Sequence, residues 1–173
     1  MGDTFRFYEI NPQVIDVAQQ KFTFLSKTSA NVEIVLGDAR LQLEYEPNQK
    51  FDVLVIDAFS GDSAPIHLLT QEAFTQYFRH LKKDGVLALH ITNRFLDLKP
   101  VVKAAADQLG VEVRILSYVV PEAEEGFRSH WVLMSSGKDY FQNANLANAQ
   151  LIKAQKNFKP WKDDYSSLIS IMY

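Results

Sequence analysis

Phe51-Asp52-Val53-Leu54-Val55-Ile56-Asp57-Ala58-Phe59-Ser60-Gly61-Asp62 is a short apolar run that ends in a carboxylate, with a small-residue loop and a second carboxylate behind it. A run of this length, rich in β-branched residues, reads as a buried strand of a parallel sheet. In open α/β sheets, ligands bind in the crevice at the carboxyl ends of the strands. Asp57 therefore falls where a substrate would sit, and Asp62 lies on the loop that could fold over it. A carboxylate without hydrogen-bond partners is costly in such a place, so its presence calls for a reason.

Strand and helix signals alternate outward from this run. Thr4 to Ile10 reads as a strand, and Asn11-Pro12 supplies an N-cap and a favoured first helical residue. Val14, Ile15, Ala18, Phe22 and Leu25 follow at helical spacing. Val32 to Leu36 is a second strand closed by Gly37-Asp38, and 39–50 holds one helical turn. After the loop through Pro65, a helix from about Thr70 to Leu81 is stopped by Asp84-Gly85. Val86 to Ile91 is a strand, Pro100 opens a helix, and Glu112–Leu116 and His130–Ser135 are further strands. A helix is expected over Asn145 to Lys156. The order predicts a single domain, 1–173, of the α/β class: a doubly wound, mostly parallel sheet.

Composition narrows the functions. The net charge of −3 argues against a nucleic-acid surface, which needs clustered Lys and Arg. The chain has no cysteine, which excludes disulfides and thiolate metal sites, and its four histidines show no metal-ligand spacing. No metal is expected. No apolar run approaches the roughly 20 residues that span a bilayer, and the start has no signal-peptide pattern. The expectation is a cytoplasmic protein without membrane contact.

Each candidate residue has a plain structural reading beside the functional one. Glu9, at the end of the first strand, could accept hydrogen bonds from the two hydroxyls of a ribose, or simply sit at a helix N-terminus. Asp38 could accept from an adenine amino group or cap a turn. Asp57 and Asp62 could hold an ammonium group and take its proton, since an alkyl amine with a pKa of about 10.4 is protonated and not nucleophilic at neutral pH. Alternatively, Asp57 caps its loop and Asp62 starts an Asx-turn. His90, inside an apolar strand, reads as a satisfied buried histidine, and His67 as a structural residue. Asn93-Arg94 lie on the rim where a ligand could touch them. Trp161, Asp163, Asp164 and Tyr165 form an aromatic and acidic tail that is either a lid or C-terminal packing. Carboxylates ending three successive strands on one rim would suit a nucleoside and a cationic second substrate.

At these residues the chain resembles the spermidine synthase (polyamine aminopropyltransferase) family, in its spermidine synthase-like branch. The pieces that carry the resemblance are Tyr8-Glu9-Ile10-Asn11-Pro12, Gly37-Asp38-Ala39, the run from Phe51 to Pro65, Ile91 to Leu98, and Trp161 to Leu168. It implies a Rossmann-like fold of the S-adenosylmethionine-dependent methyltransferase type with a reversed last strand. Glu9 would hold the ribose of decarboxylated S-adenosylmethionine and Asp38 its adenine. Asp57 would accept the amine proton, and Asp62 and Tyr165 would bind the polyamine. The reaction would displace methylthioadenosine at the carbon beside the sulfonium.

Two departures bear on that implication. The two loop acids of typical family members lie three residues apart, whereas Asp57 and Asp62 are five apart. The family's first strand, glycine-rich loop and following helix would precede Thr4, where this chain has only Met1-Gly2-Asp3. The expectation is a truncated chain with little transferase activity, its open sheet edges re-paired or covered by dimerisation. Three competing functions remain: a methyltransferase using S-adenosylmethionine itself, a non-catalytic binding or assembly module, and a nicotinamide-binding domain. The short connection from Leu116 to His130 disfavours the last, because a parallel crossover needs an intervening helix.

Overall fold

The computed structural model describes residues 2–58, 63, 65–120, 126, 128–137 and 139–173, and its chain divides into two compact units, Met1–Pro47 and Asn48–Tyr173. The first unit is a βαβ arrangement. Strand β1 (Thr4–Glu9) pairs in parallel with β2 (Asn31–Leu36), running from Thr4 opposite Asn31 to Glu9 opposite Leu36. Between them, α1 (Pro12–Lys21) starts where Asn11 predicts it: the Asn11 side chain accepts from the Gln13 N–H at 2.9 Å, with Pro12 in the first turn. The expected helix does not run unbroken to Leu25. Phe22 is extended, and a separate turn, α2 (Phe24–Lys27), follows. An aromatic and a β-branched residue, Phe22 and Thr23, are poor helix continuers. The single turn expected over 39–50 is the longer α3 (Ala39–Tyr45).

Opposite faces of this small sheet differ. Arg6 binds Glu33 and Glu46, each at 2.5 Å, and the Tyr8 hydroxyl donates to Glu46 at 2.7 Å. Burial, with the Glu46 carboxylate beside it, pushes the Tyr8 phenol up to about 12. The other face carries Phe5 and Phe7, stacked and substantially exposed.

The second unit is a five-stranded sheet in the order β3-β4-β6-β5-β7. Its strands are β3 (Phe51–Ile56), β4 (Leu81–His90), β5 (Glu112–Tyr118), β6 (Ser129–Ser135) and β7 (Gln150–Leu151). β3 and β4 are parallel, and β6 runs antiparallel to both of its neighbours, β4 and β5. β3, β4 and β5 therefore share one direction, and β6 is the expected reversed strand. As the end strand of its sheet, β3 is not the doubly buried strand its composition suggests. Leu54 and Ile56 face the core, while Val53 and Val55 are exposed.

Helix α4 (Gln71–His80) is capped by Thr70, whose Oγ1 accepts from the Ala73 N–H at 3.3 Å. It buries Ala73, Phe74 and Tyr77 as the apolar spacing requires. α5 (Lys99–Leu109) has Pro100 in its first turn and ends at Gly110, whose φ of 68° suits a residue without a Cβ. The core is completed by Leu87 and Leu89 of β4, Val132 and Met134 of β6, and Trp161.

The helix expected over Asn145–Lys156 is absent. A 3-10 turn (Ala144–Leu146) and β7 occupy this stretch. Asn143 bonds locally, its side chain accepting from the Asn145 N–H at 2.9 Å, which competes with helix formation. Beyond it, Gln150 and Leu151 pair with Ile115 and Arg114 on the edge of β5.

Candidate functional site

Asp57 follows the last residue of β3, at the carboxyl end of the strand, and its side chain is 53% exposed. The parallel register sets Ile56 opposite Leu89, which brings the next residue of β4, His90, beside Asp57. His90 Nδ1 lies 2.8 Å from Asp57 Oδ1, and His90 Nε2 lies 2.6 Å from Thr92 Oγ1. That hydroxyl also accepts the His130 backbone N–H at 2.8 Å. The His90 ring stacks on Trp131, with centroids 4.9 Å apart and planes 22° from parallel. His90 is satisfied as expected but half-buried rather than buried, and its partner is the candidate acid itself. The signal was available: a polar residue ends an apolar strand that neighbours the one ending in Asp57.

In the first unit, Glu9 and Asp38 stand at the same end of two paired parallel strands. Glu9 Oε1 accepts from the Asn11 N–H at 2.8 Å, and Asp38 Oδ1 caps α3 by accepting from the Leu41 N–H at 3.0 Å. Both carboxylates thus perform the plain role foreseen for them. Gly37, between β2 and Asp38, has a φ of 145°, and a Cβ there would meet the Gln42 side chain at 2.5 Å. The turn that aims Asp38 needs glycine. Glu9 also borders an apolar groove lined by Phe7, Ile15, Phe24 and Ile34. At about 190 Å³, the groove is smaller than the roughly 300–1,000 Å³ of small-molecule pockets.

Asp62 lies outside the described residues. Tyr165 sits in a tight turn whose backbone pairs with Lys162, and Lys159 Nζ lies 3.6 Å from the centroid of its ring. A lysine ammonium thus covers one face of this ring. Around it, the tail packs as structure. Trp161 is buried and its carbonyl accepts from the Gln71 N–H at 2.9 Å, while Asp163 accepts from Thr70 Oγ1 at 2.7 Å. Asn93 accepts from the N–H groups of both Phe95 and Leu96 at 2.9 Å, so it shapes its own loop. His67 is exposed.

A cleft of about 450 Å³ opens beside the ends of β5 and β6, lined among others by Asp97, Lys99, Ser117, His130 and Lys153. Two lysines against one acid make it a poor home for a cationic amine. His130 there lies 2.8 Å from Ser117 Oγ, and burial holds its pKa below the usual histidine value, aided by Arg128 and Lys99. Among the described residues, no group of three or more acids and histidines could hold a metal ion, and no helix is long and apolar enough to cross a membrane.

Comparison with known proteins adds the family. Residues 3–146 match the model of the spermine/spermidine synthase domain. A polyamine aminopropyltransferase of Vibrio vulnificus (strain CMCP6) is 28% identical over 165 residues, which cover 94% of this chain and 53% of that protein. The chain thus spans about half the length of this curated relative. The crystal structure of a probable spermidine synthase from Corynebacterium glutamicum superposes with a TM-score of 0.68 at 19% identity, covering 94% of this chain and 64% of that one. Spermidine synthase from Thermotoga maritima gives 0.57 at 19% identity, over 92% and 54% of the two chains. The likeness to these structures shows the Rossmann-like α/β fold that the sequence implies.

Proposed function

Because the chain belongs to the spermine/spermidine synthase family, we propose that it is an aminopropyltransferase-like domain, moving an aminopropyl group from decarboxylated S-adenosylmethionine to a polyamine amine. The observation that carries this reading is Asp57: a half-exposed carboxylate at the carboxyl end of a strand, with one oxygen committed to His90 and the other outside that bond. Such a group attracts an ammonium ion and takes its proton as the nitrogen becomes a nucleophile. The nitrogen then bonds to the carbon beside the sulfonium, the carbon–sulfur bond breaks, and methylthioadenosine leaves with the electron pair. In this reading Glu9 holds the ribose, Asp38 the adenine, and Asp62 and Tyr165 the polyamine.

Replacing Asp57 by Asn tests the reading. Single-turnover formation of methylthioadenosine should fall by about 10²–10⁴, the usual contribution of a general base, with methylthioadenosine binding preserved. Unchanged turnover would remove Asp57 from the reaction. Calorimetric titration separates the alternatives: preference for S-adenosylhomocysteine over methylthioadenosine points to methyl transfer, and binding of neither points to a non-catalytic module. Self-association through the end strand β3, with its exposed Val53 and Val55, is the partner side of the proposal. Sedimentation as a monomer at every concentration would remove it.

A further inference from the structure

Resting on the reading of Asp57 as the acid that takes the amine proton, we propose that His90 and Thr92 are positioning residues that fix one orientation of its carboxylate. The argument is one of hydrogen-bond direction. An ionised carboxylate only accepts, so the 2.8 Å contact requires a proton on His90 Nδ1, donated to Asp57 Oδ1. At the far side of the ring, Thr92 Oγ1 already accepts the His130 backbone N–H, which leaves its hydroxyl hydrogen to point at His90 Nε2, 2.6 Å away. The chain of donors then runs one way: from the β6 backbone to Thr92, from Thr92 to His90, and from His90 to Asp57. Each site on the neutral imidazole is matched, so a single tautomer satisfies the whole set.

The reversed strand supplies both constraints. Antiparallel pairing of β6 with β4 sets Trp131 opposite His90, so the indole lies against the imidazole and restricts rotation of the ring. The preceding residue, His130, contributes the backbone donor that orients Thr92. A carboxylate just past the end of a strand would otherwise turn freely about its side-chain bonds. Held through Oδ1, it keeps Oδ2 available in one place for the ammonium proton, and the reaction needs no search for the productive rotamer.

Nitrogen-15 NMR of the intact chain, labelled at histidine, reads the tautomer directly. At neutral pH, His90 should carry its proton on Nδ1. That preference should survive Thr92→Ser and be lost in both Thr92→Val and Asp57→Ala. A proton on Nε2 in the wild-type protein, or a tautomer indifferent to Asp57→Ala, would overturn the proposal without any variant having to be active. Transfer to putrescine gives the second readout. His90→Ala should lower kcat on the order of a hundredfold with little change in KM. His90→Asn, whose amide nitrogen reaches the place of Nδ1, should recover most of it. Equal losses in the two variants would overturn the positioning role. If Asp57→Asn leaves transfer untouched while the tautomer behaves as expected, the lock stands and the proposed use of Asp57 fails.

Discussion

Glu9 and Asp38 in the first unit each bond a backbone N–H of the turn that follows their own strand, whereas Asp57 in the second unit is held by a side chain from the neighbouring strand. The first kind of bond spans two or three residues and forms with the local turn. The second spans 33 residues and exists only once β3 and β4 are in register. The packing differs in the same sense. All the described buried apolar residues except Leu43 lie in the second unit, while the first leaves Phe5, Phe7, Val14, Phe22 and Phe24 exposed. A two-stranded sheet with little buried surface is marginal by itself. The acid held by long-range contacts therefore sits on the better-packed support, as a site that must keep its geometry requires.

The largest effect that could break this contrast comes from the core. Phe74, fully buried in α4 and edge-on to Tyr77, should cost about 3–5 kcal/mol when cut to Ala, measured by urea denaturation. In the same protein, hydrogen exchange should be slow in β4 and β6 and markedly faster in β1 and β2, because local opening follows local packing. Equal protection of β1 and β4 would refute the difference in support between the two units.

A smaller change sharpens the comparison inside the first unit. Asp38→Ala should lose about 1 kcal/mol through the α3 cap, whereas Asp38→Asn keeps an accepting oxygen and should lose little. Glu9→Gln likewise retains an acceptor for the Asn11 N–H. These conservative variants separate the local turn from any ligand role. If methylthioadenosine binds Glu9→Gln as tightly as wild type, the ribose assignment falls while the turn remains. If Asp38→Ala is as stable as Asp38→Asn, the cap is not what holds Asp38.

What was legible in the sequence follows the same division between local and distant causes. Asn11-Pro12 and Thr70 announce helix starts because capping chemistry acts over a few residues, and α1 and α4 begin there as expected. The stop expected at Asp84-Gly85 lies instead inside β4, which begins at Leu81 directly after α4. The reversed strand His130–Ser135 was legible from the connection before it, too short for a crossover helix. The region after Asn143 misled because the Asn143 side chain bonds the backbone locally and because the open edge of β5 accepts a strand there. Neither fact is visible in apolar spacing. Val53 and Val55 read as buried because composition cannot tell a central strand from an end strand. Asp57 could be singled out as an acid ending an apolar run. Its bond to His90 required the register of β3 with β4, which sets Ile56 opposite Leu89.

His130 offers the finest test, since its backbone N–H belongs to the Asp57 side of the comparison and its ring to the stability of the second unit. Burial keeps the ring neutral in the folded protein to a lower pH than in the unfolded chain, where histidine takes a proton at about 6.5. The stabilisation this gives is fully present above that pH and is lost as pH falls below it, because the unfolded state then binds the proton more readily. Urea midpoints should therefore decline through this window in the wild type and less steeply in His130→Asn. That variant leaves the backbone donor to Thr92 in place, so the His90 tautomer should not move. A parallel decline in both proteins would shift the origin of acid sensitivity away from His130.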